Sequence, residues 1–317
     1  MKKIMVLMTA VMLLAACGQS YEEKQRITRQ QRLKMLREDS AALKVAVLPT
    51  MDCLPLLVAS ERGFFKDLGV DIRLKHYTAQ MDCDTAVERG RVEGVVSDLV
   101  RTERLRQRGT ELRYVAATNA YWQLIANRKA RIREMKHLED KMIAMTRHSA
   151  TDLLCDAVVD STKLKAEHVF RVQVNDVNIR LGMLLGNEMD AMLLTEPQAT
   201  VARQQKHEVL LDSRRMDLNL GVVAFRESVL ADTARQRQMD AFLKAYDRAC
   251  DSLNRYGVGP YMPIVERWLS AGAGGARADK GLLNMKFPRA AAPRQQDIDR
   301  AAKWWAAVVA NKNSAAK

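Results

Sequence analysis

Aromatic residues are scarce, at 5% of 317 residues, so the core must rest on Leu, Val, Met and Ala. Seven prolines and 15 glycines are too few for a fibrous or linker-rich protein. Five cysteines at this length do not make a disulfide scaffold. The histidines, His76, His137, His148, His168 and His207, are scattered. None has an HxH or HExxH spacing, which disfavours a metal receptor. GxSxG, a phosphate loop and a Ser/His/Asp order are also missing, so no enzyme signature stands out. What is present is a globular composition, 48% apolar and 28% charged, with a formal charge of +13. That charge leaves nucleic acid, an anionic membrane surface or anionic ligands open.

The first residues, MKKIMVLMTAVMLLAAC, narrow the choice. Lys2 and Lys3 form a positive head, and Ile4 to Leu14 an apolar run too short for a stable spanning helix. Leu14-Ala15-Ala16-Cys17 then sets small residues before a cysteine. This is a secretory signal, and its ending resembles the bacterial lipobox. The resemblance implies cleavage of residues 1–16 and diacylation of Cys17. The expected location is the cell envelope, extracytoplasmic and lipid-anchored, on the periplasmic face in a Gram-negative cell. Nucleic acid is then excluded as a partner. No later run approaches the roughly eighteen apolar residues of a second span. Residues 17–42 are polar and charged and read as a tether, helical or not, lifting the folded body off the bilayer.

From Lys44 onward strands and helices alternate. Lys44 to Leu48, Val70 to Leu74 and Gly94 to Ser97 read as strands; Leu54 to Ser60 and Cys83 to Arg89 read as helices. A matching series follows. Met142 to Met145, His168 to Val172 and Asp190 to Leu194 are the strands, with Thr151 to Val159 and Ile179 to Leu185 the helices. The pattern predicts an α/β fold of two Rossmann-like lobes. Extended segments at Arg113 to Thr118, Trp122 to Ala126 and Gly221 to Phe225 are where the chain would cross between lobes, which makes a hinge of two crossings. Residues 43–120 are assigned to the first lobe and 121–220 to the second. Residues 221–317 return to the first and add C-terminal helices.

Three stretches carry a family resemblance. ASERGFFKDLGVDI (residues 59–72) resembles the "AxExGFFxxxGLDV" segment of type II periplasmic binding proteins. LEDKMIA (138–144) resembles their "DLKGKKIAV" entry to the second lobe, although the usual glycine is missing. GNEMDAMLLTEP (186–197) resembles "GEVDAAxxxEP". The subgroup is the nitrate, sulfonate, taurine and thiamine-precursor binders of ABC importers. The resemblance covers roughly Leu43 to Phe225. It implies the type II periplasmic binding protein fold, with mixed sheets. It also implies a monomeric receptor that closes on a small-molecule ligand and passes it to an ABC permease with its cytoplasmic ATPase. No cofactor is implied. The same fold hosts enzymes of menaquinone and thiamine biosynthesis, but those are intracellular. An envelope sensor or adaptor without transport is the third reading.

In open parallel sheets ligands lie beyond the carboxyl ends of the strands. Those ends offer Thr50, Asp52, Tyr77, Gln80, Ser97 and Asp98 from the first lobe. Asn119 comes from the crossing, and Arg147, Ser149, Thr151 and Glu196 from the second lobe. Ser149-Ala150-Thr151 opens a helix directly after a strand, so its free N–H groups and the helix dipole suit an anion, with Arg147 beside it. The competing reading is a simple N-cap. Asp52, Asp82, Asp98 and Glu196 favour instead an amine, an amidine or the ring donors of a pyrimidine. A zwitterion would satisfy both sets. Finally, Met51-Asp52-Cys53 and Met81-Asp82-Cys83 repeat one tripeptide at two turns of the first lobe. A Cys53–Cys83 disulfide, a metal site of two Cys and two Asp, and coincidence are the three readings. Cys155 and Cys250 read as buried thiols. Arg101 to Arg108 reads as a solvated face able to dock the permease.

Overall fold

The computed structural model describes residues 21–269 and 279–315. The signal segment 1–16 and the lipidation site Cys17 lie outside the described residues. The described residues up to Ala42 belong to one compact unit and those from Leu43 onward to a second. In the first, Tyr21–Ala41 is a single helix, its side chains from Arg26 onward mostly exposed.

Among its described residues the second unit holds ten strands in two sheets. Leu43–Val47 (β1), Ile72–His76 (β2), Gly94–Asp98 (β3) and Leu112–Ala117 (β4) begin the first sheet. Gln123–Ala126 (β5), Lys141–Met145 (β6), Val169–Gln173 (β7), Ala191–Leu194 (β8) and Glu208–Asp212 (β9) make the second. Gly221–Arg226 (β10) returns to the first. The orders are β2-β1-β3-β10-β4 and β7-β6-β8-β5-β9, the same plan twice. β1 runs parallel to β2 and β3, and β6 parallel to β7 and β8. The strand that follows each crossing, β5 or β10, is antiparallel to both its neighbours. The chain therefore passes between sheets twice, after Ala117 and after Asp212. This is the expected α/β, two-lobed arrangement with mixed sheets. β9 has no counterpart in the sequence reading. It is an edge strand of mostly intermediate burial.

Central strands are buried on both faces, which is why Val45 to Val47 and Ala191 to Leu194 read as unbroken apolar runs. Gly94 opens β3 because a Cβ there would sit 2.6 Å from the Phe225 ring on β10. Thr233–Tyr256 is an amphipathic helix that buries Met239, Phe242, Ala245, Tyr246, Ala249 and Leu253 at helical spacing. It packs on the helix Leu54–Glu61, covering one face of the first sheet. The last helix, Gln295–Ala315, packs on Leu99–Gln107. Trp305 Nε1 donates to Gln107 Oε1 and Trp304 Nε1 to Asp156 Oδ2, each at 2.7 Å. This helix therefore touches a helix from each lobe.

Two expectations are corrected here. Cys53 and Cys83 are free, buried thiols and form no disulfide. Cys53 packs into the apolar cluster around Phe242, and Cys83 into a separate cluster with Ala46, Val95 and Leu105. The stretch Arg101 to Arg108 is not a solvated face throughout. Arg101 is 1% exposed and pairs with the buried carboxylate of Asp84 at 2.5 Å. Arg104 pairs with the same carboxylate.

Candidate functional site

The carboxyl ends of β1, β3 and β8 meet at the seam between the sheets, and direct hydrogen bonds cross it. Met51 N donates to Glu196 O at 2.9 Å. Gln198 Nε2 donates to Pro49 O at 2.9 Å. Ala150 N donates to Asp98 Oδ1 at 3.0 Å. Ala79 and Asp176 form an isolated antiparallel bridge. Between these contacts lies a cavity of about 30 Å³, lined by Leu48, Thr50, Asp52, Gln80, Val96, Ser97, Asp98, Ala120, Trp122 and Thr195. An organic ligand needs roughly ten times that volume, so a ligand of more than a few atoms enters only with the lobes parted.

Five residues singled out in the sequence, Thr50, Asp52, Gln80, Ser97 and Asp98, come together in this lining. Each follows or ends a strand, except Gln80, which begins the helix Gln80–Glu88. Asp98 ends β3 and caps the next helix: its Oδ1 accepts from Arg101 N at 3.0 Å as well as from Ala150 N. Asp98 is 1% exposed, and its Oδ2 has no partner. Burial, with help from the neighbouring Asp84 charge, pushes its carboxyl up to about 6, against the opposing pull of Arg101 and the two N–H donors. Asp52 is also raised, chiefly by burial. Thr50, the backbone of Asp52 itself and Thr118, whose Oγ1 lies 3.4 Å from Asp52 Oδ2, oppose that rise.

The other candidates lie outside the lining. Tyr77 is half-buried against the cluster of Ala46, Val95 and Leu105. Asn119 is tied to the C-terminal segment by donating to Lys286 O at 2.7 Å. Arg147 is exposed. Glu196 is buried but fully engaged. It accepts from Tyr121 OH at 2.7 Å and Thr200 N at 2.9 Å, and it pairs with Arg203 at 2.7 Å. Ser149 and Thr151 are buried in a cap. Ser149 Oγ accepts from Thr151 N at 3.1 Å and donates to Thr146 O at 2.7 Å. The N-terminus of the helix Ala150–Thr162 does meet an anion, but the anion is Asp98 of the opposite lobe. Ser149-Ala150-Thr151 opening a helix after a strand marked this helix end in the sequence. The partner was not visible because fifty-two residues separate the two groups in the chain. Gln198, whose amide ties the seam, carried no signal in the sequence beyond its place after Glu196-Pro197.

Comparison with known proteins places this geometry. The alkanesulfonate-binding protein SsuA from Xanthomonas axonopodis pv. citri, solved with MOPS, superposes with a TM-score of 0.67 at 16% identity, over 86% of this chain and 93% of its own. The periplasmic aliphatic sulphonate binding protein SsuA from Escherichia coli gives 0.67 at 14%, over 86% and 88%. The periplasmic nitrate-binding protein NrtA from Synechocystis PCC 6803 gives 0.63 at 15%, over 72% and 67%. At these identities the likeness establishes the fold. No curated protein matches by sequence. The sequence model of one family, described as NMT1/THI5 like, matches residues 50–254, well over half of the chain. It takes in every strand but β1 and every residue of the cavity lining except Leu48, and the chain belongs to the NMT1/THI5 like family.

Proposed function

We propose that the protein is an extracytoplasmic, lipid-anchored substrate-binding protein. It captures a small organic ligand between its lobes and delivers it to an ABC permease with a cytoplasmic ATPase. The observation that carries this reading is the cavity at the carboxyl ends of β1, β3 and β8, where the two lobes meet around polar side chains. Thr50, Asp52, Gln80, Ser97 and Asp98 are the proposed contacts. The similar structures, named for alkanesulfonate, aliphatic sulphonate and nitrate binding, support a transport role over catalysis. A sulfonate, a nitrate-like anion and a thiamine-precursor pyrimidine are the ligand classes that this kinship brings. Cys17 is the proposed lipid attachment point. Among the described residues no helix is long and apolar enough to cross a membrane.

A second reading, an envelope sensor or adaptor without transport, is favoured by one feature: direct hydrogen bonds already bridge the seam. A thermal-shift screen on soluble Ser20–Lys317 tests the receptor reading. The panel holds nitrate, taurine, alkyl sulfonates, thiamine and its pyrimidine precursor, polyamines and amino acids. A ligand at a hundred times its Kd stabilises by about 2.7 kcal/mol, which is several degrees for a protein of this size. At least one such shift is expected. A folded protein unmoved by the whole panel would contradict the receptor and favour the sensor.

A further inference from the structure

We propose that the inter-lobe cavity seats the cationic end of an amine or amidine, with Asp98, Asp52 and Gln80 as the groups that select it. The inference rests on the substrate-binding reading above and replaces the anionic ligand classes of its relatives with a cationic one. The chain carries 51 Lys and Arg, yet no Lys, Arg or His lines the cavity. The lining instead supplies two carboxylates, an amide and three hydroxyls. Asp52 and Asp98 are 8% and 1% exposed. Two buried atoms of the lining residues have no hydrogen-bond partner, Asp98 Oδ2 and Gln80 Oε1, and both are acceptors. A buried acceptor without a partner is satisfied only by a donor. A ligand that brings N–H groups and positive charge meets that need, and a sulfonate or nitrate does not.

The place where an anion would bind is already taken. Asp98 Oδ1 accepts from Ala150 N at the start of the second-lobe helix, and Ser149 Oγ accepts the next N–H. An incoming anion would have to displace a carboxylate and then lie beside two of them. Arg101, on the helix that Asp98 caps, acts on Asp98 and also pairs with Asp84 at 2.5 Å, so its charge is shared between two carboxylates, and Arg104 pairs with Asp84 as well. Trp122 adds an aromatic wall to the cavity, a surface on which a cation gains further attraction. The cavity of about 30 Å³ has room for a group of roughly water size, such as an ammonium. The rest of the ligand is accommodated as the lobes part.

Titration calorimetry at pH 7.5 tests this with putrescine, agmatine and benzamidine against methanesulfonate, nitrate and the aminopyrimidine precursor of thiamine. At least one of the three cations is expected to bind. Asp98→Asn is expected to weaken that binding at least tenfold, and Gln80→Ala at least threefold, which serves if Asp98→Asn does not fold. Binding of methanesulfonate or nitrate without any cation would overturn the cation site and leave the substrate-binding reading intact. Binding of the pyrimidine with an affinity unchanged by either variant would do the same. Absence of binding by every compound to folded protein would overturn the cation site, and with the silent thermal screen the receptor reading as well.

Discussion

Asp98 is held in a position that costs the apo protein stability. Its carboxyl keeps a proton up to about 6 in the folded chain, against 3.8 in an ordinary setting, because burial disfavours the charge. Between those values the native state binds more protons than the unfolded state. The contribution of this group is therefore fully present below 3.8 and is lost as pH rises through 6. Asp84 and Arg101 face the carboxyl and act in opposite directions, and burial outweighs both. The neutral isostere escapes the penalty while its Oδ1 keeps the bonds from Arg101 N and Ala150 N. Asp98→Asn should therefore stabilise the apo protein at pH 7.5 by about 3 kcal/mol at most, with the gain closing below pH 4. Urea denaturation of both proteins at the two pH values measures it. A variant less stable than wild type at pH 7.5 would show that Asp98 is structural rather than a desolvated ligand group. Residues that lower stability in this manner are typical of functional sites. Asp98 was legible in the sequence as a strand-end acid. Its partner across the seam was not, because only the packing of two lobes brings Ala150 to it.

The helix Ala150–Thr162 illustrates what an element's sequence can and cannot tell. Ser149 and Thr151 directly after a strand announce an N-cap, and the cap forms, with Ser149 Oγ accepting from Thr151 N. The same pattern also fits an anion site, and local sequence cannot separate the two. Arg147, which charge alone recommends, is exposed. Ser149→Ala is expected to cost about 1 kcal/mol of stability, and Arg147→Ala less than about 0.5 kcal/mol. Neither should shift ligand affinity more than twofold. Denaturation and calorimetry on the two variants check both statements, and a tenfold loss of affinity in Arg147→Ala would restore the anion site. The helix Leu99–Gln107 misled the sequence reading for a related reason. Its arginines at 101, 104 and 106, and Arg108 just beyond it, look solvated in a linear reading. In the fold Arg101 turns inward to Asp84, and Gln295–Ala315 covers part of the remaining surface. Strands buried on both faces were the easiest elements to read, because an apolar run such as Ala191–Leu194 is too short for a helix and its bounding residues are polar. β9, half-buried and at a sheet edge, was the hardest.

At the scale of the whole molecule, a repeated strand order and two crossings bring the carboxyl ends of two sheets together. The repeat was legible, since helix and strand signals recur in the same sequence in both halves. The state of the seam was not, since hydrogen bonds such as Gln198 to Pro49 join residues 149 positions apart. The positive charge of the chain lies elsewhere than in the cavity, so net charge is a poor guide to what the cavity holds. The claim on which the rest depends is that a small molecule binds between the lobes, at the ends of β1, β3 and β8. The most direct measurement is calorimetric titration of the best compound from the thermal screen into wild type and into Ser97→Phe, a substitution that fills the cavity from β3. The account predicts one-to-one binding to wild type and at least a hundredfold loss in Ser97→Phe, with an unchanged circular dichroism spectrum. Equal affinity in the two proteins would contradict it and move the binding site away from the seam.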